Sequence, residues 1–186
     1  GIAFDALPEI DVVLVSHGHY DHLDLATLSK LAEKFSPRVV TPLGNDVTMR
    51  DTDTAIKAEG FDWQDRVELG NGIAVTLVPT RHWSARGLFD RNKALWASFV
   101  LETPAGKLYI VCDSGYGEGR HFRRVAEQHG PLRLAILPIA LAVLYLELAG
   151  QLGLQADGIS FPGHFLIKLH LPLGDAVIDP VDGRSL

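Results

Sequence analysis

Apolar residues fall along this chain in two rhythms: short runs of strand length, and stretches that repeat with a helical period. Ile10 to Val15 is apolar apart from Asp11 and predicts a strand buried on both faces. From about Asp24 to Phe35, the residues Leu28, Leu31, Ala32 and Phe35 share one helical stripe, and Pro37 ends that helix. Arg38 to Leu43 reads as the next strand, and a weaker helix carrying Val47, Ala55 and Ile56 closes at Gly60. The rhythm then changes to hairpins. Arg66 to Leu69 and Ile73 to Pro79 flank Asn71-Gly72, a pair that supplies the positive φ angles of a tight turn. A second hairpin runs from Leu95 to Val111 and turns at Pro104-Ala105-Gly106. Glu118 to Gln128 predicts a helix ended by Gly130, Leu132 to Leu137 a further strand, and Ala140 to Ala149 a last helix. No repeat, low-complexity tract or linker divides the chain, so residues 1–186 read as one α+β domain.

Composition narrows the function classes. A chain of 186 residues with 47% hydrophobic content can bury a sizeable core, and a net charge of −6 gives no support to nucleic-acid binding. The one cysteine, Cys112, excludes an intramolecular disulfide and sits in an apolar run, where it reads as buried filler. No stretch of eighteen apolar residues spans a membrane, since Leu134 to Leu148 is interrupted by Pro138 and Glu147. The expected compartment is therefore the cytoplasm, any targeting segment upstream of Gly1 lying outside the sequence.

The chemistry concentrates in Ser16-His17-Gly18-His19-Tyr20-Asp21-His22-Leu23-Asp24, three histidines and two aspartates directly behind the first predicted strand. Imidazole and carboxylate are the donor set of divalent zinc, with manganese and iron(II) the other ions it suits. At a strand-to-helix turn His17 and His19 can converge on one ion while Asp21 and His22 serve a second, and two ions can share a hydroxide nucleophile. His82 follows the strand Ile73 to Pro79, so it too lies at a strand end and is the best candidate to complete the first shell. Asp113 ends the strand Leu108 to Cys112, where its carboxylate can bridge two cations; Asp before Ser-Gly also suits ordinary turn chemistry.

His17-x-His19-x-Asp21-His22 resembles the signature of the metallo-β-lactamase superfamily in its two-metal hydrolase form. That resemblance implies a four-layer αββα sandwich. The oxygen-reducing diiron branch places a glutamate where this chain has His19, so the likeness favours hydrolysis over redox chemistry. The stretch from Pro79 to Gly130, with His82-Trp83-Ser84, Arg86, Leu88-Phe89-Asp90, Leu95-Trp96 and Cys112-Asp113-Ser114-Gly115-Tyr116, resembles the branch of N-acyl phosphatidylethanolamine-hydrolysing phospholipase D and its bacterial relatives. By this likeness His17, His19 and His82 would bind one zinc, Asp21 and His22 the other, and Asp113 would bridge, with Asp21 and Asp113 as the catalytic carboxylates. His164, in Pro162-Gly163-His164-Phe165, fits best as the second ion's remaining ligand; a gapless alignment sets Ser160 there, and His170 is a weaker candidate. Two departures are expected: the loop that follows the pair matching Pro138-Ile139 is missing, and so are the strands upstream of Ile10.

Arg81, Arg86, Arg91 and Lys93 surround His82 in sequence and could form a basic rim for a phosphate, while Trp83 and Trp96 read as core aromatics. His121 and His129 flank a predicted helix and read as structural or solvated. The expected protein is a hydrolase in which a hydroxide bridging two Zn2+ ions attacks an ester of a small-molecule or phospholipid-like substrate. A phosphodiester ranks first, ahead of a lactone of the ascorbate-6-phosphate lactonase type and of a non-catalytic metal-binding role.

Overall fold

In the computed structural model, the described residues are 2–115, 117–136, 149–150, 153–161, 164–171 and 174–178. They form two compact units, residues 1–136 and residues 137–186. The predicted helix from Ala140 falls almost entirely outside the described residues.

The first unit is built on two sheets. Strands β1 (Val12–Leu14), β2 (Arg38–Pro42) and β3 (Lys57–Phe61) are parallel, in the order β1-β2-β3. Strands β4 (Arg66–Gly70), β5 (Ile73–Val78), β6 (Ser98–Thr103), β7 (Gly106–Ile110) and β8 (Leu134–Ile136) follow in sequence order in a second sheet, antiparallel except for the β7–β8 pair. Helices α1 (Leu25–Phe35) and α2 (Asn45–Thr52) pack on the first sheet, where Leu28, Ala32 and Met49 meet Val15, Val39, Ile56 and Ala58. Val40, Val67, Val75, Leu77 and Phe99 fill the space between the sheets. Helix α3 (Arg120–His129) lies over the second sheet, with the Phe122 ring against Tyr109. The layers are helix, sheet, sheet, helix, so the fold is the α+β sandwich that the metal motif implied.

Local chemistry explains the elements. Asp24 caps α1 by accepting from Ala26 N at 3.1 Å and from Thr27 Oγ1 at 2.6 Å, and Ser36 closes the helix in the left-handed region. Two readings are corrected. The first strand is half-buried rather than fully buried: Val13 packs on the helix side and Val12 and Leu14 on the inter-sheet core, but among the described residues the strand lies at the edge of its sheet. The second helix stops at Thr52, and Ile56 to Phe61 leave it for β3: Ile56 and Ala58 face the core while Lys57 and Glu59 face out, a period-two pattern that outweighs the helical one. Gly60 is therefore a strand residue, held against the Asp46 carboxylate where a Cβ would collide.

The second unit is an antiparallel sheet of β9 (Gln155–Phe161), β10 (His164–Leu171) and β11 (Gly174–Ile178). Among the described residues, no helix is long and apolar enough to cross a membrane.

Two outcomes are expected. Asp24→Ala removes the cap of α1 and lowers stability by about 1 kcal/mol in denaturant unfolding. On β10, the His170 ring lies 2.8 Å from Asp157 and 2.9 Å from Asp175, and these hydrogen bonds raise its pKa above 6.5. A raised histidine pKa stabilises the fold fully below 6.5 and loses that contribution as pH rises through the raised value, so an NMR titration places the His170 midpoint above 6.5 and β9–β11 loosens on the alkaline side.

Candidate metal centre

Every candidate ligand of the first unit stands just beyond the C-terminal end of a strand: His17 after β1, His82 after β5, Asp113 after β7. The motif loop is tied to both sheets, since Val15 N donates to Val40 O at 3.0 Å and Ala97 N to Ser16 O at 2.9 Å. Its path is tight at Gly18, whose N–H donates to Ser84 Oγ at 3.0 Å and where a Cβ would lie 2.9 Å from that oxygen. Arg86 reaches back from the second loop, donating to Gly18 O at 3.1 Å and Leu23 O at 2.8 Å, with its guanidinium over the Tyr20 ring. At the third strand end, Cys112 adopts φ 53°, a left-handed conformation uncommon for a side-chain-bearing residue, which turns the chain where Asp113 follows.

His17 Nε2 and His19 Nδ1 are 2.9 Å apart, and His82 Nε2 is 3.1 Å from the first and 3.2 Å from the second. One proton can bridge only one pair of this triangle, leaving a lone pair facing another nitrogen. Four donors around a tetrahedral zinc, at bonds of about 2.0–2.1 Å, are spaced by about 3.3 Å, so the triangle fits one face of such a shell. Asp113 Oδ2 sits 3.3 Å from His22 Nε2, 3.6 Å from His82 Nε2 and 4.0 Å from His17 Nε2. Two ligand groups result, His17–His19–His82 and His17–His22–Asp113, and the cluster can hold divalent metal. Asp21 Oδ2 is 3.6 Å from His22 Nε2 with its side chain 67% exposed, at the outer edge of the second group.

Protonation suits that use. Burial, reinforced by the other three histidines, pushes the His17 pKa down to about 3, so its lone pair is free at neutral pH. Burial also lowers His19 and His82, against the opposing pull of the carboxylates. His22 is raised by its hydrogen bond to Asp113, and the same bond holds Asp113 below the usual carboxylate range. Ser16 Oγ lies 2.9 Å from His17 Nδ1 and 3.5 Å from His22 Nδ1, fixing the Nδ1 side of both rings and turning each Nε2 toward the cluster.

The structure thus brings together His17, His19, Asp21, His22, His82 and Asp113. Only the backbone of His164 is described, in β10 opposite Phe161, and its side chain lies outside the described residues. His170 is bracketed by Asp157 and Asp175 in the second unit. Cys112 is half-buried with its thiol pushed up to about 11 by burial, in keeping with a packing role. Trp96 is half-buried at the margin of the core, edge-on to Trp63 and donating to Thr80 O at 2.9 Å. Trp83 is not a core aromatic: it is 37% exposed, with its ring 4.3 Å from the His19 ring and the Arg91 guanidinium 4.5 Å above it. Ser16, Ser84 and the clamping role of Arg86 were beyond sequence reasoning; the HxH spacing demands something to orient the rings, but nothing in the sequence says which residue does so.

This chain belongs to the metallo-β-lactamase superfamily: residues 3–156 match the family described as Beta-lactamase superfamily domain. Residues 134–186 also match a second family description, Transglutaminase-like superfamily. An uncharacterised protein of Mycobacterium tuberculosis is 36% identical over 138 residues, covering 72% of this chain and 35% of that protein. A mitochondrial N-acyl-phosphatidylethanolamine-hydrolyzing phospholipase D of Saccharomyces cerevisiae is 37% identical over 136 residues, covering 71% of this chain and 29% of that one. The chain therefore spans about a third of the length of the curated relatives it matches. Among solved structures, the diiron β-hydroxylase CmlA of Streptomyces venezuelae superposes with a TM-score of 0.55 at 20% identity, over 71% of this chain and 26% of that one, a likeness of fold alone.

Metal analysis after dialysis checks the geometry. His17→Ala removes a donor common to both groups and weakens zinc binding by roughly a hundredfold or more. Ser16→Ala, which leaves all donors in place, weakens it by about tenfold or more.

Proposed function

We propose that this chain carries the metal centre of a two-zinc hydrolase that cleaves a phosphodiester, of phospholipid-like or smaller substrates. The observation that carries the reading is the position of Asp113, whose Oδ2 stands between His22 on one side and His82 and His17 on the other. Asp113 Oδ2 belongs with His22 in the second donor group yet lies 3.6 Å from His82 in the first, so one carboxylate is near enough to serve both ions of a paired-ion hydrolase. His17, His19 and His82 would hold one ion; His22, Asp113 and Asp21 would serve the other, and this assignment does not depend on His164. Bound ions would acidify a water near neutral pH and draw charge from a phosphoryl oxygen.

The chain's own residues supply the rest. Asp113, kept ionised by its hydrogen bond from His22, is placed to accept a proton from a nucleophilic water and to aim it. Burial keeps His17 neutral and therefore a donor throughout the physiological range. Trp83 covers the outer side of His19 and limits solvent there. The preference for a phosphodiester over a lactone is supported by the likeness to the yeast phospholipase D, at 37% identity over 136 residues.

Zinc-loaded protein is expected to hydrolyse bis(p-nitrophenyl) phosphate, with turnover abolished by chelation and lowered by about a thousandfold in Asp113→Ala. Faster turnover of a lactone than of the diester would move the assignment to lactonase. Two bound zinc ions with turnover of neither would leave a metal-binding protein.

A further inference from the structure

Beside the metal cluster lies a second recess, of about 400 Å³, lined by Arg81, Gly117, Glu118, Arg120 and His121. It adjoins the centre through the chain itself: Arg81 precedes His82, and its carbonyl accepts from Gly115 N at 2.8 Å, two residues beyond Asp113. The Arg81 side chain runs beneath the glycine loop. A Cβ at Gly115 would meet Arg81 Cδ at 3.5 Å, and one at Gly117, where φ is +51°, would lie 2.6 Å from the same carbon. Any side chain at 117 would displace the arginine from its course, so the loop is shaped around it.

Charge marks what the recess would take. The chain carries a net charge of −6, yet Arg81 and Arg120 both line the recess, and Arg120 shares one face of α3 with Arg123 and Arg124 outside it. Among the described residues neither Arg81 nor Arg120 has a carboxylate partner within ion-pair distance. Among the described lining residues Glu118 is the one carboxylate, against the two guanidinium groups of Arg81 and Arg120. Of the other cations of the expected basic rim, Arg86 is committed to the motif loop and Arg91 to Trp83, and Lys93 lines a separate recess with Asp90. Two planar forks facing one space of this size match the oxygens of a phosphate group together with part of its ester substituent.

We propose that the recess of Arg81, Arg120 and His121 is a phosphate subsite that holds a phosphate group of the substrate next to the metal centre. Its part in turnover rests on the phosphodiesterase reading, whereas the binding itself does not.

Titration of the full chain with inorganic phosphate, followed by calorimetry with and without zinc, tests it. Metal-free protein is expected to bind phosphate; Arg81→Gln and Arg120→Gln each weaken that binding by roughly tenfold, and Glu118→Gln tightens it by about two- to threefold. Arg120 is exposed on α3, so its variant keeps the test open if replacing Arg81 disturbs the loop. With zinc bound, Arg120→Gln raises KM for a phosphodiester that carries a second phosphate group, leaves KM for bis(p-nitrophenyl) phosphate within about twofold, and changes kcat for neither by more than about twofold. Equal phosphate affinity in the parent chain and both arginine variants, or no binding by the metal-free parent, overturns the subsite. Arginine-dependent phosphate binding without any diester turnover keeps the subsite and removes the proposed reaction.

Discussion

Three imidazole nitrogens brought within about 3 Å of one another constrain everything around them. Such an arrangement leaves lone pairs opposed, and burial denies the rings the solvent that would charge them. The surroundings must therefore hold the rings in place without neutralising them from within. Ser16 does so from behind His17 and His22, while Ser84 and Arg86 take up the backbone of Gly18 and Leu23. The carboxylates sit on one side only, so the cluster is a neutral histidine corner with an anionic edge. That asymmetry separates a three-nitrogen site from a mixed nitrogen and oxygen site within a few ångströms.

Much of this was legible in the sequence, and the reasons differ by element. The hairpin at Asn71-Gly72 and helix α1 were plain because a turn dipeptide and an aspartate cap act locally. The metal motif was plain because its ligands lie within six residues of one another. The extent of α2 was misjudged because Val47, Ala55 and Ile56 were read as one helical stripe, whereas Ile56 and Ala58 alternate at strand spacing and β3 pairs with β2. Trp83 and Arg86 were misassigned for a different reason. Their roles depend on which loop faces them, and contacts between residues more than sixty positions apart leave no trace in local patterning.

The division of the chain bears on how the metal centre should be thought of. The six ligand candidates that the structure brings together belong to the first unit, which carries both sheets of the sandwich and the helices on either side, whereas His170 lies in the second. Residues 134–186 resemble a different superfamily, and residues 3–156 the metallo-β-lactamase one, so the two likenesses overlap around β8 and the start of β9.

The bond between Gly18 and Ser84 joins residues 66 apart in the chain, and the contact of His17 with His82 spans 65. The motif near the start of the chain is thus completed by a loop that emerges only after both sheets are partly formed. An ion shared by those two histidines would act as a cross-link closing a long loop. The arithmetic used for disulfides puts such a closure at about 4 kcal/mol of restriction on the unfolded chain. Metal supply would then govern how much folded protein accumulates as well as what the folded protein can do.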